Sequence, residues 1–253
     1  MLRIDSLNYK NIFQDLSFEV EKNKFITISG SNNCGKTTLI KILNKSIITD
    51  SSIYLNNKSI YDYTLSEYSK LVECIIPLEY RFIEKNLIDE INYYCKNKKL
   101  KDYLIKELKL KRLLTKDVKL LTKNEFILAQ IVISLCKRPE LLLIDSLDYY
   151  FNSKELEKLI IFLKRYQTKY NLTIIWTTLS LENSLLSDKL LIINDKKIIL
   201  DGDPTDVLEK DNIINKSGLN LPFMIDLSVK LGDYDLIDEV ELSKNRMINK
   251  LWK

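Results

Sequence analysis

The chain contains no histidine. Every mechanism that depends on an imidazole base is therefore excluded. Cysteine is scarce. Cys34, Cys74, Cys95 and Cys136 are the only four, and no two form a CxxC pair. With no histidine to complete a ligand set, a zinc site is not expected, and a disulfide framework is not expected either in a cytosolic chain. No apolar run reaches the length of a membrane span. The opening MLRIDSLNYK has no apolar signal core. The net charge is only +4, with both signs interspersed and no Lys/Arg block that would mark a nucleic-acid footprint. These absences point to a cytosolic protein without a nucleic-acid partner. Peripheral attachment to a membrane stays open. The 253 residues, 45% apolar and 29% charged, suffice for one large domain with a real core or for two small ones.

Glycine is also rare, with five in the chain, so each one carries information. Two fall in FITISGSNNCGKTTLIKIL, residues 25–43. FITIS reads as a buried β-branched strand. Gly30-x-x-x-x-Gly35-Lys36-Thr37 is the full P-loop pattern. Leu39, Ile40, Ile42 and Leu43 then recur at helical spacing. Strand, loop and helix are the context in which this motif works. Backbone N–H groups at a helix N-terminus cradle phosphate oxygens. The loop residues Ser31, Asn32, Asn33 and Cys34, together with Thr38, belong to the same cradle. Lys36 is placed to reach the β- and γ-phosphates, and the Thr37 hydroxyl to ligate Mg²⁺. Asn33 tolerates a left-handed backbone better than most residues, so the loop is expected to form there.

A P-loop site needs a second acid at the end of a neighbouring buried strand. In LLLIDSLDYY, residues 141–150, four apolar residues run into Asp145, which is expected to hold the Mg²⁺ shell. Asp145 follows Gly30 by 115 residues. Signalling GTPases place this acid much sooner, and no NKxD guanine motif occurs: Asn194, Asp195, Lys196 and Lys197 are out of order. The intervening stretch, about 84–137, reads as helices. Leu87, Ile88, Ile91 and Tyr94 share one face, Leu104, Leu108 and Leu110 suggest a second helix, and residues 126–136 form a third.

Over residues 2–205 the order of these segments resembles the ATP-binding subunits of ABC transporters. LTKNEFILAQIVISLCKRPELLLID resembles the family's signature, its helix, a Pro-Glu turn and the acid-bearing strand. YNLTIIWTT, residues 170–178, resembles the strand that carries the switch histidine. KKIILDGDPTDVL resembles the strand pair and turn that close the domain. GLNLPFMIDLSVKLG, residues 218–232, resembles the C-terminal extension of the A components of energy-coupling factor (ECF) importers. The resemblance implies an α/β P-loop NTPase of ABC type. Its parts are a mixed sheet core, an antiparallel β lobe, an α-helical subdomain near 84–137 and a small helical C-terminal extension. Domain boundaries are expected at 1–205 and 206–253. The adenine-stacking aromatic of the family falls on Tyr9, with Phe13 as the alternative. For residues 240–252 an apolar face packed on the domain is expected rather than a membrane anchor.

The chain departs from this family at several points. Ser146 stands where the family has the Glu that polarises the attacking water. A serine hydroxyl is not a base near neutral pH, and losing a positioned base costs about 10²–10⁴-fold. Asp148 is the nearest spare acid, and the strand–turn geometry is expected to aim it elsewhere. Thr178 holds the switch-histidine position. The Q-loop slot, near residues 76–78, has no glutamine, because Gln14, Gln130 and Gln167 are the only ones in the chain. The D-loop acid falls near Asn152. The signature reads Leu121, Thr122, Lys123, Asn124, Glu125 and has lost both glycines. Thr122 and Glu125 fit equally a capping box opening a helix at about residue 123.

The resemblance therefore implies an ATP- and Mg²⁺-binding subunit of an ECF-like importer with impaired turnover of its own. It would pair with a second ABC ATPase subunit, with heterodimer favoured and homodimer open, and serve an integral-membrane component from the cytoplasmic face. The alternatives are an active ABC ATPase with unorthodox residues and a soluble regulatory ABC protein.

Overall fold

The computed structural model describes residues 1–252. Two sheets build the scaffold. The first is antiparallel, in the order β2-β1-β4-β5, from β1 (Leu2–Tyr9), β2 (Phe13–Val20), β4 (Ser52–Leu55) and β5 (Lys58–Ser59). The second has six strands in the order β10-β9-β3-β8-β7-β6. They are β3 (Phe25–Gly30), β6 (Val72–Ile75), β7 (Leu141–Ile144), β8 (Thr173–Thr178), β9 (Lys189–Asn194) and β10 (Lys197–Gly202). All pairings in it are parallel except β9 with β10, which closes one edge.

The apolar runs of β3, β7 and β8 follow from burial on both faces. Successive side chains point to opposite sides. Leu142 and Ile144 of β7 join a cluster with the helices on one face, while Leu141 and Leu143 join a second cluster with the antiparallel lobe. Trp176 and Ile175 of β8 divide in the same way. The second cluster also takes Leu39, Ile40, Ile42 and Leu43 of α1 (Lys36–Leu43). A short helix, α2 (Leu65–Leu71), leads into β6.

The helical subdomain comprises α3 (Leu87–Tyr94), α4 (Lys98–Glu107) and α5 (Lys123–Cys136). Leu87 and Ile91 are fully buried, as their spacing predicts. The helix expected through Leu110 ends at Glu107. Lys109 turns left-handed at φ 55°, and Leu110 begins a 3₁₀ segment instead. α6 (Ser153–Tyr170) packs its Leu156, Leu159, Ile160 and Leu163 stripe on the same cluster. It is opened by an Asn152–Glu155 capping box and closed by Asn171 at φ 54°.

The tail consists of α7 (Pro204–Leu208), α8 (Asp211–Lys216), α9 (Phe223–Gly232) and α10 (Lys244–Leu251). The expected boundary at 205/206 falls inside α7. A third cluster crosses it, joining Leu190, Ile192 and Leu200 to Val207, Leu219 and Ile225. The expectation for residues 240–252 needs correction. Met247 is buried, but Ile248, Leu251 and Trp252 are exposed, the last by 84%. An eight-residue helix turns only one narrow stripe inward, and here that stripe is Met247.

Candidate functional site

The carboxyl ends of β3, β7 and β8 meet at one edge of the six-stranded sheet, where ligands bind in open α/β sheets. β3 delivers Gly30 and the P-loop. Asn33 adopts φ 64° and Gly35 φ 104°, so the expected left-handed turn at Asn33 is present. Gly35 also has no room for a side chain: a Cβ would lie 2.6 Å from Ile12 Cγ2 and 2.7 Å from Phe13 Cζ. At Gly30 a Cβ would meet the Ile193 carbonyl oxygen at 2.4 Å.

Lys36 is 7% exposed. Its ammonium donates to the carbonyls of Gly30 at 2.7 Å and Ser31 at 2.9 Å and sits 3.6 Å from Cys34 Sγ. No described carboxylate lies within ion-pair distance of it. Asp145 leaves the end of β7 and is 5% exposed. It accepts from Thr37 Oγ1 at 2.7 Å and from Thr177 Oγ1 at 2.7 Å. Thr177 gives its only proton to Asp145 and in turn accepts the Ser146 backbone N–H at 3.1 Å. The Ser146 hydroxyl lies 3.3 Å from the same oxygen. Ser146 is held at φ 25°, an uncommon backbone for a non-glycine residue. Thr177 was not singled out in the sequence, because no spacing rule separates it from its neighbour Thr178.

A cavity of about 480 Å³ lies over this edge. Asn32, Asn33, Gly35, Lys36, Thr37 and Thr38 form one side; Ser146, Tyr149 and Leu179 form the other. Ile12 is the residue of the β1–β2 turn that lines it. Tyr9 does not line it; that ring borders a separate depression with Asn8, Lys10 and Ser51. The hairpin register explains why. Tyr9 pairs with Phe13, Phe13 points into the core at 2% exposure, and the turn between them presents Ile12. Tyr149 was also missed; it is exposed and follows the acid-bearing turn.

Asp148 does not line the Lys36 cavity. Its carboxylate accepts from Thr178 Oγ1 at 2.5 Å and from the Leu179 N–H at 3.4 Å. The turn after β7 brings it to the residue at the switch position, a pairing across 30 positions in sequence. Residues 121–125 do not line the cavity. Thr122 caps α5, accepting the Glu125 N–H at 3.3 Å while the Glu125 carboxylate accepts the Thr122 N–H at 3.0 Å. The hydrogen-bonded Lys116 ammonium, then the Thr122 N–H, hold the Glu125 carboxyl below the usual carboxylate range. Lys123 is exposed, and Asn124 Nδ2 reaches the Tyr150 carbonyl at 3.3 Å. The loop at the glutamine slot carries Leu78 at φ 64° and ties Glu79 to Lys41 at 2.9 Å.

Cys34 is partly exposed inside the phosphate loop, whereas Cys95 and Cys136 are buried. Burial pushes the thiols of Cys74 and Cys136 up, away from the reactive thiolate. Cys34 is therefore expected to take a bulky thiol reagent first, and that adduct should block ATP while bound ATP protects the thiol. Mass-spectrometric labelling rates with and without Mg-ATP measure this; equal labelling of all four cysteines would refute it.

Fold and site together define a P-loop protein of ABC type, and the chain belongs to the ABC transporter family, whose model matches residues 13–147. Within that family it is similar to the energy-coupling factor transporter ATP-binding protein EcfA of Malacoplasma penetrans, at 22% identity over 96% of this chain and 88% of the relative. Among solved structures it resembles cbiO1 of Clostridium perfringens, part of the ABC transporter complex cbiONQ. There the TM-score is 0.74 at 19% identity, covering 93% of this chain and 98% of that one. It also resembles the ATP-binding cassette MJ0796, a dimer in a post-hydrolysis state with ADP and Pi. That match has a TM-score of 0.69 at 14% identity, covering 81% of this chain and 99% of the other.

Proposed function

We propose that this chain is an ATP-binding subunit of an ECF-type importer, paired with a second ABC ATPase subunit and serving a membrane component from the cytoplasmic face. The observation that carries the nucleotide part is Lys36. A buried ammonium without a carboxylate partner among the described residues is costly unless an anion completes it. It lies on a loop whose turn at Asn33 and Gly35 feeds the N-terminus of α1, where backbone N–H groups favour phosphate. The Thr37 hydroxyl and Asp145 carboxylate, 2.7 Å apart, are the hard oxygen donors that Mg²⁺ takes, and they would hold it. When bound, Mg²⁺ neutralises charge on the phosphates.

The case for a partner starts from residues 121–125. They lie off the Lys36 cavity, so a signature segment facing this nucleotide has to come from another subunit. The relatives' importer names extend the reading to transport. No described helix is long and apolar enough to cross a membrane, so passage of solute falls to another chain. The units 1–205 and 206–253 serve as nucleotide-binding domain and helical extension. The site turns over slowly, because Ser146 and Thr178 replace the usual base and switch and residues 76–78, directly after β6, contain no glutamine. In the pair, turnover resides chiefly at the partner's P-loop.

Co-expression with its genomic neighbours should yield a complex containing a second ATPase and a polytopic protein. In that complex Ser146→Glu is expected to raise steady-state ATPase several-fold at most, since groups that act as a unit are not restored one at a time. Removing the partner's catalytic acid should abolish turnover. A large rate gain from Ser146→Glu alone would show a site complete except for one carboxylate and would overturn the slow-site reading.

A further inference from the structure

We infer that the cleft between the 3₁₀ segment Leu110–Leu113, the start of α5 and the outer side of α6 is a binding site for a medium-chain fatty acid, an aliphatic chain ending in one carboxylate. It shares no lining residue with the Lys36 cavity, so the inference stands apart from the nucleotide reading.

The cleft holds about 520 Å³. That is within the range of small-molecule sites, which are concave and mostly apolar with a few placed polar groups. Local backbone geometry builds its wall. α4 stops at Glu107, Lys109 turns left-handed, and the 3₁₀ segment that follows carries Leu110 and Leu113 into the lining. Leu128 of α5 and Leu159 and Phe162 of α6 complete the wall. Ile161 also lines the cleft and is exposed. Polar groups buried against these leucines would go unpaired at a cost, whereas an alkyl chain gains with every methylene it buries.

The charged residues of the lining divide into engaged acids and unpaired cations. Glu107 holds Arg165 at 2.9 Å, and Glu125 holds Lys116 at 2.7 Å. Glu155 accepts the Asn152 N–H at 3.3 Å and Asn124 Nδ2 at 3.4 Å. Lys109, Arg112 and Lys158 are exposed in the same cleft. No described carboxylate lies within ion-pair distance of any of the three. An apolar wall edged by unpaired cations complements a molecule with an apolar body and one anionic head. A guanidinium can take a carboxylate through two parallel N–H···O bonds, which suits Arg112 to the head group; the two lysines add point charges. The volume is that of a small-molecule site, which sets a free acid ahead of a protein segment.

Isothermal titration of the full-length chain with decanoate, octanoate and decanol reads the site without nucleotide. Decanoate is expected to bind saturably at one molecule per chain and to raise the melting temperature as its concentration rises. Octanoate, shorter by two methylenes, should bind roughly tenfold more weakly, since each buried methylene is worth up to about fourfold. Decanol, which lacks the charge, should bind at least tenfold more weakly than decanoate. Arg112→Glu combined with Lys158→Glu should weaken decanoate at least tenfold and leave decanol unmoved. Both cations are exposed, so the melting temperature of the unliganded variant should stay at the wild-type value. No saturable decanoate binding, equal affinity for decanol or octanoate, or undiminished decanoate binding in the double variant would each overturn the assignment. So would saturable binding of an acidic amphipathic peptide with none of decanoate, which would give the cleft to a protein partner.

Discussion

Lys36→Ala is expected to weaken ATP binding at least tenfold, about 1.4 kcal/mol on the affinity scale. Lys36 is buried, and its ammonium donates chiefly to the Gly30 and Ser31 carbonyls, with a longer contact to Cys34 Sγ. Those two bonds aim it along the loop where phosphate oxygens would lie, so its charge is spent on the ligand rather than on a protein acid. Removing it takes away the one buried positive charge of the cavity while the loop's N–H groups remain. Binding should therefore fall without vanishing, and the dependence on Mg²⁺ should persist through Thr37 and Asp145. Titration of a fluorescent ATP analogue against the wild type and the variant, with and without Mg²⁺, measures both effects. Equal affinity in the two proteins would remove the phosphate-loop assignment.

The second large effect concerns stability. Glu90 on α3 is fully buried. It accepts the Tyr80 hydroxyl at 2.7 Å, the Ile83 N–H at 2.9 Å and the Glu84 N–H at 2.7 Å. Burial and then the hydrogen bond to this carboxylate push the Tyr80 phenol up, so Tyr80 stays protonated as the donor. Glu90 thus fastens the loop that follows the glutamine slot. The loop's aromatics carry that order onward: Tyr80 packs edge-on to Phe82 at 5.0 Å, and Phe82 to Phe126 in the first turn of α5 at 4.9 Å. Glu90→Ala leaves the Tyr80 hydroxyl and the part-buried N–H groups of Ile83 and Glu84 without their acceptor and is expected to cost about 1–3 kcal/mol. For a chain of this size each kcal/mol lowers the melting temperature by roughly 2–4 °C. Thermal unfolding should show the drop while ATP binding at Lys36 persists. An unchanged melting temperature would mean that water replaces the carboxylate at no cost.

Residues 25–43 and 141–145 determined a great deal unaided. A β-branched strand, a glycine-framed loop and an amphipathic helix are local patterns, and they single out Lys36, Thr37 and Asp145 from the sequence alone. The left-handed Asn33 and the Thr122–Glu125 capping box were equally legible, because each depends on the backbone within a few residues. The family order of segments followed from the same local patterns read along the chain.

What lay beyond the sequence are contacts between segments far apart in it. Thr177 reaches Asp145 across 32 positions, and Thr178 reaches Asp148 across 30. Both exist only because β7 and β8 lie side by side in register. Sequence spacing sets the direction of a side chain along its own strand, but it cannot say which residue of the neighbouring strand it will meet. The same limit applies at the hairpin, where the pairing of Tyr9 with Phe13 turned Ile12 to the cavity. It applies at α10 too, where packing chose Met247 and left Trp252 in solvent. Local preference decided which groups the chain carries to the sheet edge; the register of parallel strands decided which of them share a proton.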